Sequence, residues 1–198
     1  NELTFVRLIY NGRQLSFNKN WYTDYPAGDK TIVEITRRLT NIDIAREGRA
    51  IPIHHPDLFN YPLVYSSEAG QMVLDESDVS RLREYFKRGG FWIIDDFWGS
   101  QEWFDFTLEI KKVFPEYEIV VIPVTHPIFH TIFDVQEIIQ VPNICYFYRD
   151  VNGACPTTWE EGGVTPHIYG IFDHKDQLMA VIFFNTDTMD ALEWSDDP

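Results

Sequence analysis

The stretch Gly89-Gly90-Phe91-Trp92-Ile93-Ile94-Asp95-Asp96-Phe97-Trp98-Gly99 runs an apolar segment straight into two adjacent carboxylates. A carboxylate at the end of a central strand is partly desolvated, so it stays charged only where donors or a cation meet it. Asp95 and Asp96 therefore either cap the strand end or hold a ligand hydroxyl or a cation. Successive side chains on a strand alternate, which predicts one aspartate in a crevice and the other in a turn. His126 precedes Pro127, so its backbone is extended. It either hydrogen-bonds at a strand end or pairs with Asp95 or Asp96 as acid and base. Trp21, Asp24 and Tyr25 lie in a long loop, and Trp98 borders the aspartates. Aromatic faces beside carboxylates suit sugar-like ligands, although the same rings can pin a loop to the body.

Other candidates are weaker. His54 and His55 are adjacent and diverge on an extended chain, and neither HxH nor HExxH occurs, so no metal site and no cofactor are expected. Asp187, Asp190, Glu193, Asp196 and Asp197 form an acidic run that matches no EF-hand spacing. The run reads as a solvated edge, with Asp187 the member placed near the ligand site.

Positioning these residues requires an alternating framework. Strands are expected at Leu3–Tyr10, Ala50–Ile53, Tyr61–Ser66, Phe91–Ile94 and Tyr117–Val124. Helices are expected over Lys30–Thr40, after Asp75, and after Ser100 as cap. Asp75 with Asp78 forms a capping-box-like pair, and Gly89 stops that helix. Beyond His126, strands are expected at Ile132–Val141, Asn143–Tyr148, His167–Phe172 and Leu178–Phe184, the last two as a hairpin. The fold class is α/β: a flavodoxin-like, open, mostly parallel sheet with helices on both faces and an antiparallel C-terminal extension. In such sheets ligands bind beyond the carboxyl ends of the strands. Asp95 or Asp96, His126 and the Trp21–Tyr25 loop are thus expected to converge on one pocket.

Bulk composition bounds the partners. The 198 residues suit one domain spanning 1–198, and 44% apolar residues can fill its core. The net charge of −15 argues against nucleic acid and against a polybasic membrane contact. No apolar run reaches the ~18–20 residues of a membrane span. The chain opens at Asn1 without a Met or a leader pattern, so a processed or trimmed piece is expected. Cys145 and Cys155 either pair or stay free. Oligomeric state leaves no mark in the sequence.

The segments FVRLIY, WYTDYPAGDK, YPLVY, LREYFKRGGFWIIDDFWG, THPIF and NTDTMDALEW, in this order, resemble a bacterial domain-of-unknown-function family in the class I glutamine-amidotransferase-like superfamily. THPIFHTIFDVQEI is also similar to trehalose-utilisation (ThuA-like) proteins. The resemblance implies a flavodoxin-like fold, a bacterial source and an exported or membrane-associated setting. It also implies a chain that continues past the EW segment, but no established activity. Glutamine amidotransferases carry a nucleophilic Cys in the turn after the strand that follows Gly-Gly. Here that turn holds Asp95 and Asp96, with no Cys, Ser or Thr. Neither Cys145 nor Cys155 has the exposed, electropositive turn that a thiolate nucleophile needs. Glutamine hydrolysis is therefore not expected. The leading expectation is a non-catalytic domain that binds a small polar ligand or a protein partner. The alternatives are a hydrolase or carbohydrate-modifying enzyme using Asp95 or Asp96 with His126, and a structural domain of a membrane-linked assembly.

Overall fold

The computed structural model describes residues 2–13, 20–142 and 157–194. The expected strand at 143–148 and both cysteines lie outside them. Seven strands form one sheet in the order β3-β1-β4-β6-β9-β8-β7. They are β1 (Val6–Ile9), β3 (Arg49–Pro52), β4 (Leu63–Ser66), β6 (Phe91–Ile94), β7 (Ile119–Val121), β8 (His167–Phe172) and β9 (Leu178–Phe184). β1, β3, β4, β6 and β9 are mutually parallel, while β8 runs antiparallel to both neighbours. The pair β2 (Asn11–Gly12) and β5 (Met72–Val73) forms a separate two-stranded ribbon.

The alternation of β4 and β6 explains the layers. Val64, Trp92 and Ile94 enter one core with Leu82 and Tyr85 of α2 (Glu76–Lys87) and Phe106 and Ile110 of α3 (Gly99–Val113). Tyr65 and Ile93 point to the other face, where Val33 of α1 (Ala27–Leu39) and Leu192 of α4 (Asp190–Glu193) cover them. Farther along that face, Ile128, Phe129 and Ile138 cover Val181 and Phe183. Both faces of the sheet are covered, which suits the nearly continuous apolar character of β6.

α2 begins as its sequence demands. Asp75 accepts from the N–H groups of Ser77 and Asp78, both at 2.8 Å, and the Asp78 side chain accepts from the Asp75 N–H. Two expectations are corrected. Ser100 does not cap α3; the cap is Trp98, whose N–H donates to Glu102 Oε2 at 2.7 Å. Ile132–Val141 is not a strand either. Its apolar residues pair with no strand among the described residues, and Phe133 and Ile139 are exposed. Gln140 instead donates to the carbonyls of Gly163 and Asn185, both at 2.9 Å.

Replacing Asp75 by Ala removes both acceptors of the capping box. Stability is expected to fall by about 1 kcal/mol, and Tm by about 2–4 °C, whereas Asp75→Asn keeps most of it. Thermal denaturation followed by circular dichroism reads this directly.

Candidate functional site

The site is assembled around a charge in the middle of an apolar strand. Arg7 of β1 is 0% exposed. Its Nε and Nη2 donate to Asp29 Oδ1 of α1 at 2.9 and 2.5 Å. Its Nη1 donates to the carbonyls of Trp21 and Thr23 at 3.1 and 2.7 Å. The guanidinium also lies 4.7 Å from the centre of the Tyr65 ring and 5.7 Å from that of Tyr25. Burial alone would pull its pKa down, but Tyr65 and Asp29 outweigh burial and leave it raised. Arg7 thereby folds the 20–26 loop back over the end of the sheet. The loop closes through the N–H groups of Thr23 and Tyr25, which donate to the carbonyls of Asn20 and Tyr22. Within it Asp24 takes a left-handed backbone, φ +61°.

Asp24 is thereby brought to the carboxyl end of β6. Carboxylate oxygens of Asp24, Asp96 and Asp187 lie within 4.8 Å of one another, and so do those of Asp24, Asp190 and Glu193. Asp96 adopts φ +55° in the turn between β6 and α3. It accepts from Trp98 Nε1 at 3.0 Å and from Ser67 Oγ at 3.2 Å. Asp187 Oδ1 accepts from the N–H groups of Met189 and Asp190 at 3.1 and 3.0 Å, which starts α4. Asp24 Oδ2 is buried and takes no hydrogen bond from the described residues.

Asp95 plays a different part. It is 0% exposed. It accepts from the Thr188 N–H at 3.1 Å, from the Thr188 hydroxyl and from the Tyr65 hydroxyl at 3.3 Å. It thus ties the segment after β9 to the end of β6. Both aspartates of the opening motif are enclosed, since Asp96 is only 4% exposed. Trp98 is buried as well and serves the site by donating to Asp96 rather than by presenting a face to a ligand.

Of the residues expected to converge, the structure gathers Trp21, Asp24, Tyr25, Asp95, Asp96, Trp98 and Asp187. His126 does not join them. Its ring packs 5.9 Å from that of Phe172, which pairs with Leu178 at the start of β9. Asp95 bonds to Thr188, beyond the other end of β9. The seven residues of β9 separate the two by roughly 20 Å. The acidic run after β9 is not a solvated edge where it is described. Asp187 and Asp190 are 5% and 7% exposed, because α4 folds back against α1. Arg7, Tyr65, Ser67, Thr188, Asp190 and Glu193 were missed as site-builders. The signal available for Arg7 was its charge inside FVRLIY, since a lone cation in a buried strand requires partners.

Electrostatically the cluster is loaded. Burial, then the charges of Asp96, Asp190 and Glu193, raise the pKa of Asp24 to about 9. Burial raises Asp95 to about 6 against its Thr188 and Tyr65 hydrogen bonds. Burial, followed by its acidic neighbours, pushes Asp187 well up, and burial also carries Asp190 to about 6. An oxygen-only set of this kind matches the hydrogens of hydroxyl or ammonium groups, or a hard cation. A second grouping, His54 with Asp75 and Asp78, also comes within 4.8 Å. Its carboxylates already cap α2, and His54 Nε2 lies 2.9 Å from Asp78.

A carboxyl group whose pKa is higher in the folded state than its unfolded value of about 4 stabilises the fold only while protonated. Its contribution is full below about pH 4 and is lost as pH rises towards the folded value, near 9 for Asp24. Asp24→Asn, which also tolerates the left-handed backbone, is expected to raise Tm by several degrees at pH 8. The difference should vanish near pH 4. Paired thermal melts across that range check it.

No curated protein matches the chain. A family pattern does: it covers residues 4–197, nearly the whole length, and so takes in the loop, the Asp95-Asp96 turn and the segment after β9. The chain belongs to the family described as a domain of unknown function, DUF4159.

Proposed function

We propose that this chain is a non-catalytic, amidotransferase-like binding domain, working outside the cytoplasm, whose acidic crevice holds a small polar ligand through the ligand's own donors. The observation that carries the reading is Asp24. Its Oδ2 is buried and takes no hydrogen bond from the described residues, while its carboxyl group sits within 4.8 Å of those of Asp96 and Asp187. A buried acceptor without a donor is costly unless a partner completes it. A hydroxyl or ammonium group supplies that partner, whether it comes on a small molecule or on a basic side chain of a protein partner.

The topology supports the same reading. Ranked in chain order, the parallel strands β3-β1-β4-β6-β9 run 2-1-3-4-5, the order of flavodoxin-like sheets, which bind ligands beyond the carboxyl ends at the switch between the first and third strands. Asp96 occupies the turn where an amidotransferase-like fold would place its nucleophile, and it has the positive φ of a sharp elbow. Its oxygens accept hydrogen bonds from Trp98 and Ser67. A carboxylate held in this way is a poor nucleophile, and His126, the base of the enzymatic alternative, packs against Phe172 instead.

Calorimetric titration with a panel of polyols, amines and divalent cations tests the proposal. One donor-rich class is expected to bind, with Asp24→Asn weakening it about fivefold while the fold is kept, the effect of disturbing one hydrogen bond of about 1 kcal/mol. Turnover of a panel compound by the native protein, abolished by Asp96→Asn, would overturn it in favour of the hydrolase reading.

A further inference from the structure

The acidic crevice offers acceptors from three separate parts of the chain. Asp24 comes from the 20–26 loop, Asp96 from the turn after β6 and Asp187 from the segment after β9. One carboxyl oxygen of each lies within 4.8 Å of the other two. Asp96 and Asp187 are more than nine-tenths buried, at 4% and 5% exposure. Asp187 spends Oδ1 on the N–H groups of Met189 and Asp190, and its Oδ2 takes no hydrogen bond from the described residues. Asp24 Oδ2 is in the same state and is itself buried. Two neighbouring carboxyl groups thus each keep an acceptor without a donor, a costly arrangement where water is scarce.

Acceptor number and spacing discriminate between ligand groups. A primary ammonium carries three N–H donors at tetrahedral angles. With charge-assisted bonds of about 2.8 Å, its three acceptors stand about 4.6 Å apart. The 4.8 Å bound on the Asp24, Asp96 and Asp187 oxygens admits that spacing. A hydroxyl has a single donor and meets only one of the three. A guanidinium is a flat fork that suits the paired oxygens of one carboxylate, whereas these oxygens come from three. A calcium ion takes about six to eight oxygens. Both oxygens of Asp96 already accept, from Trp98 and Ser67, and Asp187 Oδ1 accepts twice, so the set falls well short of a calcium shell.

Charge points the same way. Asp24 is faced by Asp96, Asp190, Glu193 and Arg7, and Asp187 by Asp96, Asp24, Asp190 and Asp95. Arg7, the cation among them, is already held by Asp29. Burial and these acidic neighbours keep protons on Asp24 and Asp187, with Asp24 raised to about 9. The fixed charge of an incoming cation can take the place of such a proton, and a neutral hydroxyl cannot. Tyr25, next to Asp24, is exposed and offers a ring face along which an alkyl stem can lie. We propose that the Asp24–Asp96–Asp187 crevice takes a primary ammonium group on an unbranched alkyl chain, an inference that rests on the crevice being a ligand site.

Calorimetric titration of the native protein with n-butylamine, butan-1-ol and butyltrimethylammonium tests the proposal, because the three differ only in the head group. Butylamine is expected to bind. Butan-1-ol should bind roughly twentyfold more weakly or worse, about fivefold for each of the two hydrogen bonds lost. Butyltrimethylammonium, which has the charge but no donor, should not bind. Titrations at about pH 7.5 in two buffers of different ionisation enthalpy should show protons released by the amine and none by the alcohol. Nα-acetyl-lysine methylamide separates the sources of the group: binding like that of butylamine supports a lysine of a partner chain, and its exclusion supports a free small amine. Equal binding of the alcohol or of butyltrimethylammonium would overturn the ammonium proposal. So would silence from butylamine while a polyol binds, and each of these results leaves the ligand-site reading standing. Silence from every compound would overturn both. The comparison needs no variant, so a failure to fold cannot mask the result.

Discussion

The guanidinium of Arg7 is the point on which the site depends. Burying an ion pair costs several kcal/mol per ion in lost hydration, so the contact with Asp29 alone would be a weak reason for a charge on a central strand. The compensation comes from the whole set of partners. One carboxylate, two loop carbonyls and two aromatic rings surround the group. Those partners belong to the 20–26 loop, α1 and β4, so satisfying one cation on β1 fixes four parts of the chain together. The carbonyls of Trp21 and Thr23 leave the loop no other course, and Asp24 follows from where they are held.

A cation organises a group of anions that gain little from it directly. Asp95 and Asp96 are matched by donors from Thr188, Tyr65, Trp98 and Ser67. Asp24 is not so matched at Oδ2. The fold therefore concentrates carboxylates where their mutual repulsion and burial raise the pKa of several of them. Perturbed carboxyl groups gathered at one spot are the observation on which the proposed ligand site rests. The left-handed backbones of Asp24 and Asp96 at the same spot point the same way, since residues in such conformations persist where the surroundings hold them.

Local signals carried much of this architecture in readable form. The capping box at Asp75 and Asp78 and the apolar run of β6 each depend on residues a few positions apart, so the chain states them openly. The hairpin of β8 and β9 is legible for the same reason. Apart from the cap of α3, the failures are tertiary. Ile132–Val141 has apolar residues spaced as in a strand but pairs with no strand among the described residues. Asp187 and Asp190 look like solvated acids until α4 folds against α1. Thr188 is an unremarked hydroxyl in NTDTMD until it meets Asp95, 93 positions away. His126 follows a strand whose carboxyl end faces the right edge, yet the chain reverses after it and carries the ring back towards Phe172.

Hydrogen–deuterium exchange on an Arg7→Lys variant addresses the central claim most directly. Lysine keeps the charge but cannot hold Asp29 and the Trp21 and Thr23 carbonyls in one planar fork. Faster exchange is expected in the 20–30 segment, with weakened binding at the proposed Asp24 site and protection retained in β4, β6 and β9. Unchanged exchange in that loop, or a uniform loss across every strand, would contradict the claim that Arg7 builds the site by folding the loop onto the sheet.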